Sequence, residues 1–118
     1  MRLHGFRVFV HELEVARRFY RDTLGLKLKW EDGQTAVGFD LGADLIVEVV
    51  DEDADADDRA LVGRFVGCSI AVENIDTIYA DLISKGVEFV SPPERQAWGG
   101  VLAHFKDSSG NVLTLLGR

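Results

Sequence analysis

Hydrophobic and polar residues follow two periods along the chain, and the periods change in the same order twice. Residues 3–10 alternate as a strand does, and residues 12–25 place apolar side chains at helical spacing as far as Gly25, where a helix is expected to end. Three short strand patterns follow at residues 26–30, 35–41 and 44–50. The first part of the chain therefore predicts one strand, one helix and three strands.

The second part repeats this order. It predicts a strand, a helix with Asn74 as its N-cap and Gly86 at its end, and three more strands. Val10 corresponds to Val72 and Leu13 to Ile75, both at an offset of 62 residues. Strands outnumber helices and lie mostly in hairpins, which predicts an α+β fold of two βαβββ modules. In the second part the predicted helix is 75–86, and the predicted strands are 65–72, 87–90, 99–106 and 111–116. We predict a single domain, 1–118. It divides into module 1 (1–50), an acidic linker (51–62) and module 2 (63–118).

The net charge of −7 arises from one short segment. Residues 51–58 contain six carboxylates, and without them 14 acidic residues face 13 basic ones. Such a block is typical of a solvated loop or a disordered linker, and the acidity disfavours nucleic acid as a partner. No apolar run reaches the roughly 20 residues of a membrane span, and the N-terminus carries no signal-peptide pattern, so we expect a cytoplasmic protein without a membrane partner.

Two motifs give the sequence a family resemblance over nearly its whole length. The segment RRFYRDTLGLKL (17–28) and the pair WGG (98–100) with HFKDSSGN (104–111) resemble signatures of the vicinal oxygen chelate superfamily, although Asp-Pro-Asp-Gly-Asn is usual at the last turn. This superfamily includes glyoxalase I, bleomycin- and fosfomycin-resistance proteins and extradiol dioxygenases. The resemblance implies a cup-shaped curved mixed sheet with helices on its outer face. In many short members it also implies a homodimer that completes the cup.

The resemblance also identifies four positions that hold a metal in other members: Gly5, Glu48, Gly67 and Thr114. Only Glu48 can bind a divalent metal strongly, whereas a catalytic site needs about three protein ligands. His4 and Cys68 are adjacent to the two glycines, but strand alternation turns them to the opposite face. We therefore expect no metal or other cofactor, with a divalent metal held through Glu48 as the alternative.

The same alternation predicts which residues line the cup. The pocket is expected to be mostly apolar with a few polar groups, as a small-molecule site requires. Three alternatives remain open: Arg7 and Glu48 form an ion pair that only holds the sheet, His104 is a surface histidine or a general base, and Trp98 covers the core or stacks on a ligand. The predicted ligand-binding residues are Arg7, Phe9, Glu48, Ser69, Trp98, Leu102, His104 and Thr114.

Three functions fit these observations. The first is a metal-free binding protein that holds a small organic molecule, as the resistance-type relatives imply. The second is a lyase or dioxygenase-like enzyme, either assisted by a metal through Glu48 or using His104 and Glu48 as acid and base. The third is a dimeric structural or regulatory module without a working pocket.

Overall fold

The first βαβββ module forms a four-stranded sheet with one helix. The computed structural model describes all residues, 1–118. The strands are ordered β1-β4-β3-β2, with β1 parallel to β4 and the other pairs antiparallel. The helix α1 continues into a π-helical turn at Phe19–Thr23. The elements are β1 Gly5–Val10, α1 Leu13–Arg18, β2 Lys27–Asp32, β3 Ala36–Leu41, β4 Ala43–Val49 and the short helix α2 Ala56–Arg59.

The second module has the same arrangement with one difference. Its strands are ordered β5-β8-β7-β6, again with the first pair parallel. The strand predicted at 87–90 is wrong as an extended strand, because only one bridge joins Phe89 to Phe105, and a two-residue strand occurs after the prolines at 92 and 93. Proline has no backbone N–H for a sheet, which shortens this edge. The elements are β5 Phe65–Ala71, α3 Ile75–Ser84, β6 Glu94–Arg95, β7 Val101–Lys106 and β8 Val112–Gly117.

Two open mixed sheets with helices confirm the predicted α+β class. Asn74 caps α3 as predicted, since its Oδ1 accepts a hydrogen bond from Thr77 N at 3.1 Å. Gly86 follows the helix with a φ of 86°, a left-handed conformation that favours glycine. No helix in the structure combines the length and the apolarity needed to cross a membrane.

Each sheet buries one face against its own helix. In the first module Tyr20 is fully buried and its ring lies 5.8 Å from that of Phe39 on β3. In the second module Phe89 bridges the two layers, with its ring 4.7 Å from Tyr79 of α3 and 5.8 Å from Phe105 of β7. The opposite face of each sheet, which we call the helix-free face because neither α1 nor α3 packs on it, carries the predicted polar residues. The buried core side chains on the strands are Val8, Val10, Val37, Phe39, Leu45 and Val47 in the first module and Cys68, Ala103, Phe105, Leu113 and Leu115 in the second.

The chain forms two compact units, of residues 1–64 with 108–111 and of residues 65–107 with 112–118. The acidic segment 51–58 belongs to the first unit and is ordered, because Asp55 caps α2 by accepting a hydrogen bond from Asp58 N at 2.9 Å. The turn at 107–111 joins β7 to β8, and its Asn111 is 1% exposed. Asn111 Nδ2 donates to Phe9 O at 2.7 Å, and its Oδ1 accepts from Gly63 N at 2.8 Å. These bonds hold the turn against the first strand of the unit.

Candidate functional site

In the first unit, the helix-free face of the sheet brings several polar and aromatic side chains together. We call it the Arg7 face and define it by Arg7, Phe9, Trp30, Ile46 and Glu48. The strand register places Arg7 opposite Ile46 and Phe9 opposite Glu48. Because paired residues in neighbouring strands project from the same side of a sheet, these side chains share one surface.

Arg7 and Glu48 form a two-point ion pair on this face. Arg7 Nε donates to Glu48 Oε1 at 2.6 Å, and a second guanidinium nitrogen donates to Oε2 at 3.1 Å. The guanidinium also lies 5.2 Å from the centre of the Phe9 ring, within cation–π range. The hydrogen bonds that Arg7 donates to Glu48, and then the charge of Glu48, raise the pKa of Arg7. The ion pair that the sequence left open is thus formed, and it engages both oxygens of Glu48.

A concavity of ≈ 680 Å³ adjoins this ion pair. Its apolar lining includes Phe9, Val50 and Leu61, and Arg7 lies at its margin. Its acidic lining comes from the segment 51–58, which was expected to be a solvated loop or linker. The carboxylates of this segment therefore contribute to the surroundings of Arg7, and they are Asp51, Asp53 and Asp58.

Trp30 also belongs to this face, although the sequence patterns identified it only as the end of a strand. A β-bulge between Leu28 and Trp30 interrupts the pairing of β2 with β3. The Trp30 Nε1 donates to Asp44 Oδ2 at 3.0 Å, and Lys29 Nζ contacts Asp44 Oδ1 at 2.7 Å. Period-two alternation cannot reveal such a cluster, because the bulge shifts the register within β2.

In the second unit, the helix-free face carries His104 and Thr114 as a cross-strand pair. We call it the His104 face and define it by Phe65, Ser69, Leu102, His104 and Thr114. His104 Nδ1 lies 2.8 Å from Thr114 Oγ1, and Thr114 is only 3% exposed. This hydrogen bond fixes the imidazole ring, and the buried threonine hydroxyl is satisfied by it.

Phe65 was not predicted as a site residue, yet it covers the imidazole. Its ring meets that of His104 edge-on at 5.9 Å, and Phe65 remains 65% exposed. Ser69 pairs with Thr114 across the parallel strands, and Leu102 pairs with Leu116. Of the predicted residues in this unit, Ser69, Leu102, His104 and Thr114 therefore share one face.

Trp98 lies apart from these strands, in the turn that precedes β7. Its ring rests on Gly100, where a Cβ atom would overlap the indole, and the residue is 59% exposed. With most of its surface in solvent, Trp98 does not cover the core. Its predicted role as a ligand contact stays a prediction.

The strand register defines the surroundings of Gly5 and Gly67, which the family resemblance compares with metal-ligand positions. Gly5 lies opposite Asp44, four residues before the Phe9–Glu48 pair, which corresponds to roughly 13 Å along the strand. A Cβ at Gly5 would overlap the backbone oxygen of Asp44. Gly67 has a φ of 76° in an irregular stretch of β5, so Ser69 rather than Gly67 is the neighbour of Thr114. Backbone geometry alone accounts for both glycines.

The predicted metal-ligand positions offer few donor atoms for a divalent metal. Glu48 is the one predicted ligand position with a carboxylate, and Arg7 engages both of its oxygens. The structure contains no group of three or more His, Cys, Asp and Glu side chains that could hold a metal ion. Cys68 is buried within the core, and this burial raises the pKa of its thiol. A buried thiol with a raised pKa is a poor metal ligand, because binding requires the thiolate.

Comparisons with known proteins agree with this architecture. The profile of the Glyoxalase/Bleomycin resistance protein/Dioxygenase superfamily matches residues 2–115. The uncharacterized protein YraH of Bacillus subtilis (strain 168) is 28% identical over 126 residues, covering 98% of this chain and 97% of YraH. A superfamily member from Sphaerobacter thermophilus matches with a TM-score of 0.81 and 28% identity over 100% of this chain and 98% of that chain. TnmS3, an antibiotic-binding protein from Streptomyces sp. CB03234, matches with a TM-score of 0.76 and 27% identity over 100% and 96%.

Proposed function

The chain belongs to the Glyoxalase/Bleomycin resistance protein/Dioxygenase superfamily, and we propose that it is a metal-free protein that binds a small organic molecule. The observation that carries this proposal is the concavity of ≈ 680 Å³ beside the Arg7–Glu48 ion pair. Its volume lies within the range of small-molecule pockets, and its lining combines apolar side chains with a few charged groups. The similarity to TnmS3, described as an antibiotic-binding protein, supports the same function.

The absence of a metal requirement is a separate part of the proposal. It is supported by the two hydrogen bonds that Arg7 donates to Glu48, since a carboxylate held in this way would have to exchange its partner to bind a metal. Protein stripped with a chelator should keep its melting temperature when nickel, zinc or manganese is added back. A stabilisation of several degrees that disappears in Glu48→Ala would contradict this part and favour the metal-assisted enzyme.

Binding itself is tested by native mass spectrometry of the protein purified without denaturation. We expect the wild type to carry a small organic molecule, and Phe9→Ala to lose most of it. Phe6→Ala is the matched control, because Phe6 is on the same strand but projects from the opposite face of β1. A wild-type protein without any bound molecule, and without stabilisation by any member of a library of small organic compounds, would contradict the proposed function.

A second candidate is a metal-free enzyme that uses His104 in acid–base chemistry. The hydrogen bond between His104 Nδ1 and Thr114 Oγ1 favours it, because it fixes the ring and leaves Nε2 as the position for proton exchange. If the retained molecule is chemically converted by the wild type and only bound by His104→Gln, the protein is this enzyme. If the wild type returns the molecule unchanged, binding is its function.

A further inference from the structure

Trp30 is fixed on the Arg7 face by a hydrogen bond to a buried carboxylate. A side chain that only shielded the sheet from solvent would not need this bond. Its indole N–H is bound by Asp44, which is 5% exposed and whose other oxygen contacts Lys29. Burying a carboxylate costs free energy that its partners only offset, whereas a leucine at position 30 would cover the sheet without one. The hydrogen bonds from Lys29 and Trp30 lower the pKa of Asp44 and so keep it charged. The Asp44 carboxylate therefore serves to orient the ring.

The indole ring of Trp30 packs directly on Gly38. A Cβ at position 38 would overlap Cε2, Nε1 and Cζ2 of Trp30, so any larger residue would displace the indole. Gly38 is buried, while Trp30 remains partly exposed. One side of the ring is thus covered by the backbone of β3, and the exposed part of the indole faces away from the sheet.

The residues beside the indole form an apolar surface on the sheet, which we call the floor. Across the four strands the register gives the row Trp30, Gly38, Ile46 and Arg7. At about 4.8 Å per strand, the backbones of Trp30 and Arg7 lie roughly 14 Å apart, and because the indole covers Gly38, the side chain between the ring and Arg7 is Ile46. This span suits a planar molecule of two or three fused rings that stacks on the indole and rests on Ile46.

The charges around this floor select against an anionic ligand. Two cations, Arg7 on this face and Lys29 beside Trp30, are already paired. Arg7 pairs with Glu48, and Lys29 pairs with Asp44. The adjoining concavity adds the carboxylates of the acidic segment 51–58, which gives the surroundings a net negative charge. A neutral or cationic molecule meets no repulsion here, whereas an anion would compete with Glu48 for Arg7.

From these observations we infer that Trp30 is the stacking residue for a planar aromatic ligand that is neutral or cationic. The inference rests on the proposed function, because it names the ligand class of the same face. Stacking of a planar ring on an aromatic side chain is worth about 1–3 kcal/mol where it has been measured for nucleic-acid bases. A substitution that removes the indole should therefore weaken binding by about tenfold or more.

The two tryptophans of the chain make the test specific. Trp98→Phe leaves Trp30 as the sole tryptophan, Trp30→Phe leaves Trp98, and the affinity of each variant is measured beside the wild type. The probes are proflavine, a cationic planar three-ring dye, and anthracene-9-carboxylate, an anionic planar compound of similar size. Binding is followed by the fluorescence anisotropy of each probe and stacking by the quenching of tryptophan emission. We expect proflavine to quench Trp30 in Trp98→Phe, to leave Trp98 unquenched in Trp30→Phe, and to bind at least tenfold more tightly than the anion.

Two further variants separate stacking from folding. Trp30→Leu should weaken proflavine binding about tenfold, and Gly38→Ala, which displaces the ring without removing it, should reduce quenching in Trp98→Phe while the far-ultraviolet circular dichroism stays unchanged. If proflavine binds wild type and Trp30→Leu equally and quenches neither tryptophan, Trp30 is not the stacking residue, although the proposed function stands. If neither probe raises the anisotropy with any variant, the aromatic ligand class is wrong, and the retained molecule found by mass spectrometry decides the proposed function separately.

Discussion

At the scale of single residues, the Arg7–Glu48 pair has two possible uses that mutations can separate. The Arg7 side chain is 62% exposed, so solvent weakens the ion pair, and pairs of this kind contribute about 0.2–1 kcal/mol to stability. The geometry is nevertheless two-point, and the guanidinium also lies over the ring of Phe9. A contact that is weak for folding but well oriented is suited to ligand binding.

We predict that Arg7→Met lowers the unfolding free energy by less than about 1 kcal/mol and that Arg7→Met with Glu48→Met recovers most of the loss. The same double variant should lose the molecule that the wild type retains, as measured by native mass spectrometry. Arg21 and Asp22 form an exposed pair on the π-helical turn of the same unit, and Arg21→Met with Asp22→Ala is the control that should keep the molecule. Unchanged retention in a well-folded Arg7 and Glu48 double variant would remove both residues from the site.

Asp44 gives a prediction for the dependence of stability on pH. Its pKa lies below the usual value of about 3.9, first because Lys29 and Trp30 donate hydrogen bonds to it. Its contribution is therefore complete above pH 4 and is lost as the pH falls through the lowered pKa. Between about pH 4 and pH 2 the unfolding free energy of the wild type should fall more steeply than that of Asp44→Asn in urea denaturation. Parallel curves for the two proteins would show that Asp44 adds no pH-dependent stability.

At the scale of strands, β5 bends at a glycine. Gly67 has a φ of 76°, and the pairing of β5 with β8 is irregular between Phe65 and Ser69. A side chain in this left-handed conformation costs roughly 1–2 kcal/mol, so we predict that Gly67→Ala destabilises the protein by about that amount. Thermal unfolding measures the effect, and Ser69→Ala, on the regular part of the same strand, is the control. An unchanged melting temperature in Gly67→Ala would mean that the bend does not depend on glycine.

The strands also separate what the sequence can predict from what it cannot. Periodicity placed α1, α3 and the strands that face them, because burial of one face leaves a regular pattern in the residues. The irregular pairing in β2 and β5 leaves no such pattern, and the sequence therefore did not identify Trp30 and Phe65 as residues of the two faces. The strand expected at 87–90 is reduced to a single bridge for a different reason, since Glu88 and Val90 make one backbone hydrogen bond each with β7 before the chain reaches the prolines at 92 and 93. The candidate residues that form hydrogen-bonded pairs in the structure lie on regular parts of their strands. These pairs are Arg7 with Glu48 and His104 with Thr114.

At the scale of the whole molecule, the acidic segment belongs to the compact unit that contains the first sheet. A turn and the helix α2 order it, and its carboxylates line the concavity beside Arg7. Composition alone cannot distinguish this arrangement from a solvated loop, because both require charged residues at the surface. The clustered charge therefore acts on the candidate site as well as on solubility.

The exposed apolar side chains support the prediction that the protein forms a symmetric homodimer. Leu3, Phe6 and Leu41 are exposed in the first unit, and Phe65 and Trp98 are exposed in the second by 65% and 59%. A two-fold dimer would cover such side chains on the same surface of both copies. Sedimentation equilibrium at micromolar concentration should give twice the 13.1 kDa of one chain. Phe65→Ser should weaken the association if the second unit forms the contact, and Phe6→Ser should do so if the first unit forms it. A monomer at these concentrations would contradict the dimer and would leave Phe65 and Trp98 to be covered by a ligand or by another protein.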